Sequence, residues 1–271
     1  MTIAASPFVR GGALLHVDDA GGNGVPVVFQ HGLCGDARQT AEVFPTSASF
    51  RRITLECRGH GSSAAGDFRE FSLANFTDDV IALIETTGDA PVVVGGISMG
   101  AAIALRLAVR RPELVRGLIL ARPAWVTAAA PRNLLPNVEL GALLAELPAD
   151  EARAVFLATD TAQRLAQAAP DNLASLVGFF ERPHQAETAA LLQQISSDGP
   201  GISEQNLRAL EVPTLIIGTG RDAIHPLAHA EALAELIPGA RLVTITSKAD
   251  NRARYVGDFQ HALGDFLNGF V

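Results

Sequence analysis

At 271 residues the chain is long enough for one large domain, or for a domain carrying an insertion. Its apolar share of 48% against a charged share of 18% calls for a sizeable buried core. A net charge of −8 and a single lysine, Lys248, argue against a polyanionic partner, because nucleic-acid binding draws on clustered Lys and Arg.

No apolar run approaches the ~18 residues of a membrane span, and no basic, apolar leader opens the chain. The expectation is a soluble cytoplasmic protein with no nucleic-acid or membrane partner. Cys34 and Cys57 are too few for a disulfide framework, lack metal-site spacing, and are expected to stay reduced.

In chain order, residues 11–17 read as an early edge strand, followed by a Gly/Asp-rich turn. Val25–Phe29 is a buried strand running into Gln30-His31-Gly32-Leu33-Cys34-Gly35. A short helix (Arg38–Phe44) and a strand (Arg52–Cys57) lead to Arg58-Gly59-His60-Gly61-Ser62. Helical periodicity spans residues 71–85, with Ser72 or Asn75 as its cap. The β-branched run Val92–Val94 then stops at two glycines, one serine follows, and an Ala/Leu helix runs to Arg111. Further strands fall at Leu118–Ala121, Thr214–Gly218 and Leu242–Thr246, and a last helix at Arg252–Phe270.

Continuous apolar strands alternating with helices specify an α/β fold, a mostly parallel sheet covered on both faces. Between Arg122 and Val212 the alternation breaks into short helices (133–147, 151–158, 161–168, 172–180 and 185–195). This predicts a core of residues 1–122 and 211–271 with a helical cap at 123–210, at the sheet edge where such folds bind ligands.

The chemistry centres on Gly96-Ile97-Ser98-Met99-Gly100. Between a buried strand and an amphipathic helix, Gly-x-Ser-x-Gly is a sharp turn that exposes a serine at a helix N-terminus. Side chains at the flanking positions would collide with neighbouring backbone. Gly95 and Gly100 have P-loop spacing, but Ala101-Ala102 follow in place of Lys-Ser/Thr, so a nucleotide site has no support.

A serine nucleophile needs an oxyanion hole, which the backbone N–H groups of Leu33 and Met99 are placed to supply. His31 is a candidate to touch substrate, with bracing of its loop as the plainer role, and His60 reads as structural. Arg122 is a candidate for an anionic substrate group or for an ion pair at the sheet edge. Trp125 and Phe179-Phe180 are candidates to line an apolar pocket or to pack the cap.

The motif set resembles the α/β-hydrolase superfamily over nearly the whole chain outside the cap. His31-Gly32 resembles the oxyanion loop, Arg58 to Ser62 the turn after the next strand, Gly96 to Gly100 the nucleophile elbow, and Gly218 to Pro226 the acid loop. The nearest look-alikes are cap-bearing esterases, enol-lactonases and cofactor-free haloperoxidases. The resemblance implies Asp222 as the acid, no cofactor or metal, and a small ester or lactone as substrate.

The departure is the base. Members of the superfamily carry a histidine shortly after the last strand, and Thr244 to Arg252 holds none. The base is therefore open between His225, Asp250 and no base at all, with His225 preferred because imidazole titrates near neutrality. His229 and His261 rank lower. The difficulty for His225 is that a residue three positions from its acid must still reach Ser98. Without a base, the chain is a ligand-binding member of the fold; lyase or perhydrolase chemistry in the same pocket is the other alternative.

Overall fold

The computed structural model describes residues 8–271. A short antiparallel hairpin, β1 (Phe8–Arg10) and β2 (Ala13–Leu15), precedes the main sheet. That sheet contains β3 (Val17–Asp19), β4 (Val25–Gln30), β5 (Phe50–Leu55), β6 (Val92–Ile97), β7 (Val115–Ala121), β8 (Thr214–Thr219) and β9 (Arg241–Ile245). Their order across it is β3-β5-β4-β6-β7-β8-β9, with β3 antiparallel to β5 and every other pairing parallel.

The early strand expected over 11–17 divides between two sheets. The break falls at His16, whose N–H donates to Ser63 Oγ at 2.8 Å and whose carbonyl accepts from Glu56. The residues on either side therefore follow different partners.

Helices α1 (Ala37–Val43), α2 (Leu73–Thr87), α3 (Met99–Arg110), α10 (Leu227–Leu236) and α11 (Arg252–Leu267) cover the sheet. Successive residues of a strand point to opposite faces, and the core splits accordingly. Val92 and Val94 pack in one cluster with α2 and α3, whereas Val93 packs in the other with Val43 of α1 and Phe259 of α11. This two-sided burial explains the continuous apolar run at β6. Ser72 caps α2, its side chain accepting from the Asn75 N–H.

Between β7 and β8 lie α4 (Leu135–Glu146), α5 (Ala149–Leu157), α6 (Asp160–Ala168), α7 (Pro170–Gly178), α8 (Gln185–Ser197) and α9 (Glu204–Arg208). No strand interrupts them among the described residues. The five-residue α9, closed by a Ser203/Asn206 capping box, is too short for periodicity to reveal. Also among the described residues, no helix is long and apolar enough to cross a membrane.

Candidate active site

Strand register levels the ends of the central strands: Gln30 lies opposite Gly96, Ile97 opposite Ala121, and Ala121 opposite Ile217. The loops that follow β4, β6, β7, β8 and β9 therefore meet at one end of the sheet. They carry Leu33, Ser98, Arg122, Asp222 and Lys248.

Ser98 is the junction between β6 and α3, with φ 56° and ψ −109°, a conformation that L-residues rarely adopt. Its N–H donates to the Ala121 carbonyl at 2.9 Å, which fixes the turn to the next strand. A Cβ on Gly96 would lie 2.5 Å from the Gly100 carbonyl carbon, and one on Gly100 would strike the Gln30 carbonyl oxygen. The two glycines thus allow β4, β6 and α3 to approach closely around the serine.

His225 Nε2 lies 2.8 Å from Ser98 Oγ. Its Nδ1 lies 3.0 Å from each carboxylate oxygen of Asp222. Only the tautomer with a proton on Nδ1 satisfies both contacts: Nδ1–H donates to Asp222, and Nε2 accepts from the serine hydroxyl. The three-residue spacing works because the chain folds back on itself. The Asp222 carboxylate also accepts the His225 backbone N–H at 2.9 Å, closing a tight loop that turns the imidazole over its acid toward β6. Asn172 Oδ1 holds the loop from α7 by accepting the N–H groups of Ala223 and Ile224. Asn133 donates to the carbonyls of Ala124 and Ile224. Neither asparagine carries a sequence signal that would single it out.

Arg122 reaches Asp222 from the end of β7, with Nε and Nη2 at 2.8 and 2.6 Å from Oδ2. Of its two sequence readings, the structure shows the ion pair. Its guanidinium also lies over the Tyr255 ring, 5.8 Å from the centroid. Burial would raise the Asp222 carboxyl, but His225 and Arg122 outweigh it and hold the group well below the usual carboxylate range. For His225, burial is the largest influence and lowers it; Asp222 pulls upward, Arg122 downward, and the ring stays below the ordinary imidazole value. It is therefore neutral, and able to accept a proton, at pH 7.

The loop after β4 is braced from within. His31 is fully buried; its Nε2 accepts the Cys57 N–H at 3.0 Å, and its Nδ1 donates to the Gly32 carbonyl at 2.8 Å. Gln39 Oε1 accepts the Gly32 N–H at 2.6 Å. His31 is thus no substrate contact: both ring nitrogens are spent on backbone, and the ring lies outside the cavity wall. His60 is equally buried, 4.8 Å from His31 between ring centres, and burial holds it well below the ordinary value. Leu33 lines the cavity beside Ser98. The Met99 N–H, first in α3, has no intrahelical acceptor available to it.

Trp125 requires a second correction. It is buried, its Nε1–H donates to the Asp198 carbonyl at 3.0 Å, and it stands apart from the space next to Ser98. Three residues after Arg122, its indole reaches the C-terminal end of α8 at Asp198. Phe179 does line that space, whereas Phe180 packs on Phe156. Asp250 is exposed, paired with Arg221 at 2.7 Å, and not part of the cavity wall at Ser98. His261 is exposed on α11 beside Asp265. His229 stands off the cavity near the backbone of Pro123 and Ala124.

The cavity at Ser98 measures about 360 Å³. Its wall opposite the sheet comes from Asn137 of α4, Asn172, Ser175 and Leu176 of α7, and Arg182. Arg182 ties this wall to the core, donating to the carbonyls of Cys34 at 2.6 Å and Gly59 at 3.0 Å. Cys34 also lines the space, but burial pushes its thiol up to about 12, so it is no rival nucleophile at neutral pH. Among the described residues no cluster of His, Cys, Asp or Glu is arranged to hold a metal ion.

Residues 25–248 match the sequence pattern of the alpha/beta hydrolase fold. The chain belongs to that family. This α/β hydrolase is 31% identical to the dihydrolipoyllysine-residue acetyltransferase component of an acetoin cleaving system from Pseudomonas putida, over 81% of this chain. The match spans 58% of that protein, less than two thirds of its length. It is 28% identical to 2-hydroxymuconate semialdehyde hydrolase from Pseudomonas putida, over 82% of this chain and 79% of the relative. Among solved structures, the enol-lactonase from Burkholderia xenovorans LB400 superposes with a TM-score of 0.72 at 25% identity, covering 95% of this chain and 98% of that one.

Proposed function

We propose that the protein is a cofactor-free serine hydrolase that cleaves a small ester or lactone through an acyl-enzyme on Ser98. The observation that carries this reading is the 2.8 Å contact between His225 Nε2 and Ser98 Oγ, with Asp222 on the far side of the ring. Ser98 Oγ attacks the carbonyl carbon as His225 takes its proton, and the Leu33 and Met99 N–H groups receive the developing oxyanion. The C–O bond then breaks, and the leaving alkoxide takes the proton back from His225. Water, deprotonated by the same imidazole, releases the acid and restores the serine. Asp222 keeps the proton on Nδ1 and stabilises the imidazolium as it forms.

Helices α4 to α9 act in this reading as a cap that excludes bulk water from the serine. The enol-lactonase among the structural relatives supports an ester-like substrate, and a cavity of about 360 Å³ favours a small one.

The expected result is release of 4-nitrophenolate from 4-nitrophenyl butyrate by the wild-type protein. Ser98→Ala should lose at least about 10³-fold of this rate. Equal release by the two proteins would contradict the proposal, as would the absence of any release above buffer. The second outcome would favour a ligand-binding protein.

A further inference from the structure

Lys248, the chain's only lysine, lines the cavity at Ser98 from the loop after β9. Two other cations share the wall, and both are already engaged. Arg122 is paired with Asp222, and Arg182 is bound to two backbone carbonyls. Lys248 forms neither an ion pair nor a hydrogen bond among the described residues, although it is partly buried. The acids whose fields reach it are Glu42, which is paired with Arg252, and Asp171 in the first turn of α7. No Asp or Glu lines the cavity itself. A protein of net charge −8 thus places its one lysine, without an ion-pair partner, in the wall of the cavity at Ser98, and that wall is free of carboxylates.

Holding a partly desolvated ammonium without a counter-ion costs free energy, and the cost is recovered when an anion enters. We propose that the substrate carries a free carboxylate beside its ester or lactone group, and that Lys248 is its counter-ion. The neutral amides of the wall, Asn137 and Asn172, complete a surface able to donate hydrogen bonds to such a group. This deepens the serine-hydrolase reading and rests on it. Lys248 acts on binding and orientation, and the proton transfers remain with His225.

The test compares three esters by titrating the acid that each releases: methyl butyrate, monomethyl glutarate, and the butyryl ester of glycolic acid. The last two carry a carboxylate on the acyl and the alcohol side respectively. One of them is expected to show kcat/KM at least about tenfold above methyl butyrate, and Lys248→Met should bring that ratio down close to one. If both anionic esters are no better than the neutral one, or if the ratio is unchanged in Lys248→Met, the proposal is overturned while Ser98 chemistry stands. Lower stability of Lys248→Met with an unchanged ratio would also overturn it, assigning the lysine to neutralisation of Asp171. Turnover retained in Ser98→Ala would instead contradict the acyl-enzyme reading, and the ratio would still be readable. Should no ester be cleaved, calorimetric binding of monomethyl glutarate decides. Binding at least about tenfold weaker in Lys248→Met supports the carboxylate site, and equal or absent binding removes it.

Discussion

Replacing His225 by alanine is expected to lower kcat/KM for an activated ester by roughly 10²- to 10⁴-fold, the usual worth of a general base. Asp250→Ala should change it less than about twofold, since that carboxylate is exposed and occupied by Arg221. The contrast tests geometry against sequence position, because Asp250 lies near the position at which the family resemblance leads one to expect a histidine and His225 does not.

The pH profile adds a sign. The base works only when neutral, so activity falls as pH drops through the His225 pKa. Burial is the largest cause that depresses that value, and Arg122 adds to it against the pull of Asp222. The acid limb of kcat/KM should therefore have its midpoint below the unperturbed value of about 6.5. In Arg122→Gln the limb should move to higher pH, because a positive neighbour that opposed protonation has gone. A limb that stays in place in Arg122→Gln, or moves down, would count against His225 as the titrating group.

The second large effect is structural. Gly96→Ala should destabilise the protein by about 3 kcal/mol or more, at the upper end of overpacking costs, and eliminate activity with it. The added methyl would meet backbone at the Gly100 carbonyl carbon, 2.5 Å away, and the Gln30 carbonyl oxygen, 2.7 Å away, and backbone cannot rotate aside as a side chain can. Gly239→Ala, whose methyl would meet nothing within 4 Å, is the control for glycine replacement. It still carries a positive φ of 70°, so a cost of about 1 kcal/mol is expected there from backbone strain alone. Chemical denaturation of the two variants checks the ranking, and a Gly96→Ala protein as stable as wild type would refute the close-approach argument.

Strands β4, β6, β7 and β8 were readable because each is buried on both faces, which leaves a run of consecutive apolar residues. The elbow was readable for a different reason: two glycines around one serine have few other uses between a strand and a helix. What escaped was whatever depends on long-range contact. Whether Arg122 meets substrate or Asp222 is decided by a partner 100 positions away. His31 and Trp125 resemble cavity residues in sequence, yet their polar atoms are spent on Cys57, Gly32 and Asp198. Asn172 braces the Asp222 loop across 51 positions and looks like any helix-start asparagine. Lys248 stood out only by its rarity. His225 was legible as a histidine near an acid, but its reach to Ser98 depends on the fold-back of Asp222 onto the His225 amide.

The most direct measurement of the central claim is the intact mass of the protein after exposure to a fluorophosphonate near neutral pH, followed by peptide mapping. The serine-hydrolase account predicts a single phosphonyl adduct on Ser98, absent from Ser98→Ala and formed at least about 10²-fold more slowly in His225→Ala. An unmodified Ser98, or an adduct at another residue, would contradict it.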